Sequence, residues 1–485
     1  MGDRHLFVAV TATPCVTVVR DVGAWVARAL DSAGVIERTR LTETVDLAWP
    51  RILTGFAIMS KRTVDLAVVG VAVGAEAVAG LTVANGFWMV AKFAFIGLSG
   101  GTLSLVSQNV GGDRVDRART VVATSLLAAA ALAVVVVPVL MLTAETLVAP
   151  FSSGPAVTRL GALYLVVVAP GLLFEGVNLV ASRTYAGAGD TVTPMAVRAT
   201  GAVLNIVLTA GLVFVGGLGV VGAALGTALS TALVAGVFAW GLAGRSYWGR
   251  GASPVPVGRD VELDRSLTRQ LASVSAPLVA RRAAQGLVVF PLLAVAAGFG
   301  SVALAALGVA RQVRALLNSF TWGFSIAAST LAGQALGAAE EARAGLYGRE
   351  IAQLSLLFYT LSALIVVALA TPVAAVFVDG AAVGQTATFV RVAAISAVPL
   401  GIDGSVTGLL RGAGDTRIPF VATLVGLYVF AVPAAYLGTV TTLGVSGLLL
   451  ALLFETTVPM LVNVGRFRQG TWKSVSRAYR PEAGD

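Results

Sequence analysis

Trp49 to Gly70 reads WPRILTGFAIMSKRTVDLAVVG. The stretch is long and apolar enough to cross a bilayer, yet Lys61, Arg62 and Asp65 stand inside it. A charge at membrane depth costs at least ~2.5–3.5 kcal/mol on insertion scales, so a sequence that keeps three within one span points to a functional use for them. Whether the span is real depends on what the rest of the chain looks like.

The chain has 485 residues, 57% of them hydrophobic and 12% charged, with 55 glycines and a mean hydropathy of +0.87. Soluble domains carry roughly 25% charged residues, so half that density over this length reads as a polytopic, all-α membrane protein. The net charge of +9 does not point to nucleic acid, because the bases sit in short runs between apolar spans. The single cysteine, Cys15, excludes an internal disulfide, and the single histidine, His5, excludes a His-built metal site. None of the three lysines (Lys61, Lys92 and Lys473) follows a glycine, so the phosphate-binding G-x-x-x-x-G-K-[ST] loop is missing and no nucleotide is expected. No bound cofactor is expected either, only a transported H⁺ or Na⁺.

Windows of about 20 apolar residues predict helices near 47–74, 77–106, 120–142, 158–182, 191–216 and 219–243. Six more follow near 270–298, 302–332, 346–371, 385–411, 416–438 and 442–465. The chain then divides into an N-terminal segment (1–46), a six-helix lobe (47–243), a polar linker (244–269), a second six-helix lobe (270–465) and a basic tail (466–485). Within the first segment, Val16 to Val35 mixes Arg20, Asp21, Arg28 and Asp31 with apolar residues, as an interfacial helix would; an over-long, partly disordered start is the alternative. Sorting the Lys and Arg residues gives 24 on one side of this topology and only Arg159 and Arg391 on the other, with eight inside spans. By the positive-inside rule both termini are expected in the cytoplasm of a multi-pass cytoplasmic-membrane protein.

The second half echoes the first at a nearly constant offset. Gly187-Ala-Gly-Asp-Thr-Val-Thr-Pro194 recurs as Gly412-Ala-Gly-Asp-Thr-Arg-Ile-Pro419, and Leu218-Gly-Val-Val-Gly222 as Leu443-Gly-Val-Ser-Gly447. Leu81-Thr-Val-Ala84 matches Leu307-Gly-Val-Ala310, Gln108-Asn-Val-Gly111 matches Gln334-Ala-Leu-Gly337, and Pro50 aligns near Pro277. Six is an even number of crossings, so the repeats are parallel and related by a pseudo-two-fold axis along the membrane normal. The GAGDT turn itself has a local explanation: Gly ends one helix, Asp or Thr caps the next, and Pro sits in its first turn.

Pro50 with Val64-Asp65 on helix 1, the Gln-x-x-Gly turn after helix 2, the repeated GAGDT-x-x-P and LGVVGAALGT at 218–227 resemble the multidrug and toxic compound extrusion (MATE) family, over roughly residues 45–465. The resemblance implies twelve helices in two lobes, efflux of small organic compounds in exchange for Na⁺ or H⁺, and Pro50 as a hinge. It also implies a cation site in the first lobe, carried over here onto Asp65 of helix 1, Asn205 of helix 5 and Thr227 of helix 6. A second helix 5 position, where the family pattern has Asp, is Thr209. At 1.5 Å per residue all four lie in the outer half of the membrane, about 10–16 Å from the helix ends. Their counterparts in the second half fall around Pro291 or Leu292, Phe430 and Leu452, so no second copy is expected.

Lys61 and Arg62 precede Asp65 by four and three residues, spacings that bring side chains together on a helix. With one carboxylate where the family has two, the expectation is that the Lys61 ammonium takes the region a Na⁺ would occupy, which favours H⁺. No metal beyond a monovalent cation at Asp65 is expected. Glu175, Arg281, Arg282, Arg314, Asp403 and Glu455 are further charges within spans, expected to line the central cavity or to pair, with Arg282 or Arg314 against Glu455. Arg51 is expected to snorkel to a helix end. Eight bases against four acids within the spans would suit an anionic or zwitterionic substrate. A monomer in the lipid bilayer is expected, with a lipid-linked saccharide flippase of the same superfamily as the rival function.

Overall fold

The computed structural model of the chain describes residues 28–246, 252–258 and 264–479. Residues 1–27, and with them most of the proposed interfacial helix, lie outside the described residues. What is described is helical throughout, with no strand among the described residues. The first lobe comprises α1 (Arg38–Ala72), α2 (Ala75–Gly111), α3 (Val115–Val148), a broken α4 (Pro155–Val168 and Gly171–Gly187), α5 (Val192–Ala210, ending in a wide π turn over Gly211–Val215) and α6 (Gly219–Leu242). The second comprises α7 (Arg265–Leu287, continued by Val289–Gly298), α8 (Ser301–Gly337), α9 (Glu341–Ala368, continued by Ala370–Phe377) and α10 (Ala382–Gly412). It is completed by α11 (Arg417–Leu424, with a π turn over Val425–Ala431 and a last piece Val432–Val440) and α12 (Ser446–Gln469).

Among the described residues nine helices are long and apolar enough to cross a membrane, and the two pieces of α4 make a tenth span bent by 52°. The bend falls at Ala169–Pro170, where proline removes a backbone donor and crowds the preceding turn. The two long helices outside that set are α1 and α8. These are the helices that carry Arg51, Lys61, Arg62 and Asp65, and Arg311 and Arg314.

Several boundaries differ from the sequence reading. α1 begins at Arg38, inside the stretch read as an N-terminal segment, and its first turns pack against the second lobe: Arg40 Nε lies 2.6 Å from Glu350 of α9, and the Tyr347 hydroxyl donates to Glu43. Pro50 lies buried within α1 without ending it, and the Thr54 hydroxyl donates to the Pro50 carbonyl at 2.8 Å. Part of the linker lies across the end of α6, where Val257 N–H donates to Leu242 at 2.7 Å and Val255 is fully buried. Asp264 then caps α7 by accepting from Ser266 N–H at 2.6 Å, and the Ser266 hydroxyl, donating to the same carboxylate at 3.0 Å, does most to hold it below the usual range. Within the basic tail, a short helix α13 (Trp472–Ala478) buries Trp472 against Phe467.

The lobes meet along α1, α2, α7 and α8, and at the end where α1 starts the repeated turns interlock. The Gln108 side-chain amide donates to the Gly412 carbonyl at 2.7 Å, and Gln334 donates to the Gly187 carbonyl at 2.9 Å. Each glutamine of one repeat thus reads the GAGDT turn of the other. A Cβ on Gly111 would stand 2.1 Å from the Gln334 carbonyl oxygen, and one on Gly337 1.9 Å from that of Gln108. Only glycine permits this backbone approach. The local capping role of the turn holds in the first copy, where Thr193 N–H donates to Asp190 at 2.9 Å; in the second, Asp415 instead takes Arg466 at 2.7 Å.

Candidate coupling site and central cavity

The bundle positions Asp65 by packing α1 against α5 and α6. With the Asn205 amide turned so that its donors meet acceptors, Nδ2 lies 3.0 Å from Asp65 Oδ1, and its oxygen lies 3.1 Å from the Thr227 hydroxyl. That hydroxyl is in turn 3.5 Å from Asp65 Oδ2. Three residues drawn from helices 1, 5 and 6 therefore converge, all of them buried. Thr209 is fully buried and packs against Gly226, next to Thr227, with its hydroxyl on the side of the Asp65 carboxylate. The π turn that follows α5 was not legible in the sequence.

Asp65 opens onto a small cavity of about 100 Å³ shared with Lys61, Arg62, Lys92, Tyr164, Glu175 and Arg198. Lys61 lines it but makes no contact ion pair: no carboxylate lies within 4 Å of its ammonium among the described residues. Glu175 is the acid that is engaged, with Lys92 at 2.5 Å and Arg198 at 2.8 Å. Arg198, not singled out by the sequence reading, is a half-buried residue of α5 and belongs to this cluster.

The second lobe fills the equivalent space with its own side chains. Glu455 holds Arg311 at 2.6 Å and also Arg314. By the repeat, Arg311 and Arg314 stand where Asn85 and Trp88 do, and Glu455 where Ser230 does, and those three line the Asp65 cavity. Leu292 and Leu452, near the counterparts of Asp65 and Thr227, are packed in apolar core. The expected pairing of Glu455 holds for Arg314 and gains Arg311, but Arg282 takes no part in it. Arg281 instead lies 2.8 Å from Asp403, which also accepts from Asn463 at 2.7 Å.

Between the lobes lies a cavity of about 270 Å³. Arg51, Arg62, Lys92, Arg183, Arg198 and Arg282 line it, together with Phe93 and Trp322, and no Asp or Glu does. Arg51 does not snorkel. Its guanidinium rests against the Trp322 indole, 5.0 Å from the ring centre, and Arg282 rests against the same ring at 5.0 Å. Arg183 lines this cavity and also a second one of about 100 Å³ that continues it; Arg411, Arg281, Arg282 and Asp403 line the second. Of the predicted cavity charges only Arg282 lines the central cavity; Arg281 and Asp403 line the second, Glu175 lines the Asp65 cavity, and Arg314 and Glu455 pair within the second lobe.

Two six-helix repeats with a charged cavity between them describe a multi-pass membrane protein. The MatE family model matches the chain twice, at residues 50–211 and 277–437, once in each lobe. The chain belongs to the MatE family and is a transporter rather than an enzyme. It is 28% identical over 460 residues to "Probable multidrug resistance protein NorM" of Rhodopseudomonas palustris, covering 91% of this chain and 94% of that one. It is 29% identical over 441 residues to the protein of the same name in Deinococcus radiodurans, covering 87% and 93%. Among solved structures, a MATE protein in its bent conformation superposes with a TM-score of 0.83 at 22% identity, covering 90% of this chain and 97% of that one.

Proposed function

We propose that this chain exports small organic compounds across the cytoplasmic membrane by alternating access, with both termini in the cytoplasm, and that it does so as an antiporter coupled to H⁺ rather than Na⁺ through Asp65. The observation that carries the reading is the contact of Asn205 with Asp65 at 3.0 Å in a cavity that also holds Lys61, Arg62, Lys92 and Arg198. A Na⁺ ion needs a shell of oxygens and room for itself, and here it meets four fixed bases against two acids, Asp65 and Glu175. Like charges disfavour it. A proton needs no such shell, and Thr209 removes the second carboxylate that a metal ion would use. The Asp65 cavity shares Arg62, Lys92 and Arg198 with the central cavity, so protonation of Asp65 is felt where substrate would bind.

The test is a panel of toxic compounds in an efflux-deficient host. Wild type is expected to raise the tolerated dose for at least one, and Asp65→Asn to return it to the host's level. Equal protection by Asp65→Asn would overturn the coupling role.

A further inference from the structure

The wall of the central cavity carries six bases and no acid. Two of the six, Lys92 and Arg198, are held by Glu175. Among the described residues Arg51, Arg62, Arg183 and Arg282 have no carboxylate within ion-pair distance. Arg51 and Arg282 come from different lobes and meet only the indole of Trp322 between them. Arg282 has one further partner, the neutral Gln285 at 3.1 Å. The deeper cavity adds Arg411, whose guanidinium is bonded only to Ser325 and Ser329. Guanidinium groups in an apolar wall with no counter-charge favour an incoming anion, and their planar forks match carboxylate, sulfonate and phosphate. Around them Ile58, Met59, Met89 and Phe93 present apolar surface.

We propose that this cavity binds an amphipathic organic anion: an apolar or aromatic body on the methionines and Phe93, and a carboxylate, sulfonate or phosphate between Arg51 and Arg282. A lipophilic cation, by contrast, would face six bases with no acid in the wall. The anion bridges the two lobes through Arg51 and Arg282, so its site is complete only while they are together. The proposal rests on the exporter reading for the direction of movement, but not for binding.

Two probes on the same ring decide it: naphthalene sulfonate and naphthyl trimethylammonium, titrated into the purified full-length protein in nanodiscs of neutral lipid. The sulfonate is expected to bind at least tenfold more tightly than the ammonium. Arg51→Gln and Arg282→Gln should each weaken it by tenfold or more, and Arg282→Lys by less than Arg282→Gln. Equal or tighter binding of the ammonium by wild type overturns the proposal, whatever the variants do. If either Gln variant fails to stay monodisperse, the other and the wild-type comparison still decide. Displacement of the sulfonate by phosphatidylglycerol, but not by a soluble aromatic carboxylate, would assign the same anion chemistry to a lipid headgroup. Flux separates the two readings. Sulfonate that binds but is not exported removes the exporter reading alone, and export of the ammonium without sulfonate binding removes the anion alone.

Discussion

Gln108 of the first lobe donates to the Gly412 carbonyl of the second at 2.7 Å, and the repeat makes the bond reciprocal through Gln334 and Gly187. The pair closes one end of the transporter, the cytoplasmic end in the topology proposed here. A net hydrogen bond contributes about 0.5–1.5 kcal/mol, so losing one should move the balance between closed and open cytoplasmic ends by roughly two- to tenfold. Gln108→Ala is expected to raise the open population, and Gln108→Ala with Gln334→Ala to raise it further. Spin-label distances between the cytoplasmic ends of α2 and α8 report it directly. Unchanged distance distributions in the double variant would remove the latch.

The same contact predicts a stronger effect from the glycines. An added methyl at Gly337 would fall 1.9 Å from a backbone oxygen rather than a pliable side chain, so the helices must separate. Gly337→Ala should populate the cytoplasm-open form more than Gln334→Ala does, at a cost of about 1–3 kcal/mol for overpacking in the closed form. Spin-label distances read the opening, and the midpoint of thermal unfolding in detergent reads the cost.

Glu455 is the one carboxylate that both Arg311 and Arg314 engage inside the second lobe. Removing one partner of a buried pair leaves uncompensated charge and costs about 3–5 kcal/mol. Glu455→Gln should therefore lower the thermal midpoint markedly, while whatever folded protein remains keeps the ion dependence of the wild type. A coupling change without a stability change would mean that the second lobe holds a transport site after all.

If Thr209 and Lys61 are what keep Na⁺ away from Asp65, restoring the family pattern should admit it. Thr209→Asp combined with Lys61→Gln is expected to make transport respond to a Na⁺ gradient, with either change alone giving less. No Na⁺ response in a stable double variant would place the selectivity elsewhere in the cavity, with Arg62 the next residue to change.

The helices were legible because a bilayer demands long apolar runs, and the two lobes because the turns repeat. Convergence of Asp65, Asn205 and Thr227 in one contact cluster followed from depth along three helices together with the family pattern. Legibility failed where position in three dimensions outweighs position in the chain. Arg183, Arg198 and Arg411 sit within two helical turns of a loop, so counting by sequence assigns them to the surface, yet each lines a cavity within the bundle. Arg51 stands near the start of the helix expected from hydropathy, but α1 begins at Arg38, and Trp322 from the other lobe gives Arg51 a partner that no local rule supplies. The GAGDT turn explains itself as a cap, which hides its second use as an acceptor for the opposite lobe. The bend at Pro170 and the π turns have no marker in hydropathy, which reads composition and not backbone pairing.

Ion-gradient flux in proteoliposomes, with one oriented population of the protein and a substrate taken from the host screen, addresses coupling through Asp65 most directly. An imposed pH gradient at equal Na⁺ should drive substrate against its concentration, a Na⁺ gradient at equal pH should not, and Asp65→Asn should abolish the response while still binding substrate. Na⁺-driven transport that survives Asp65→Asn would contradict it.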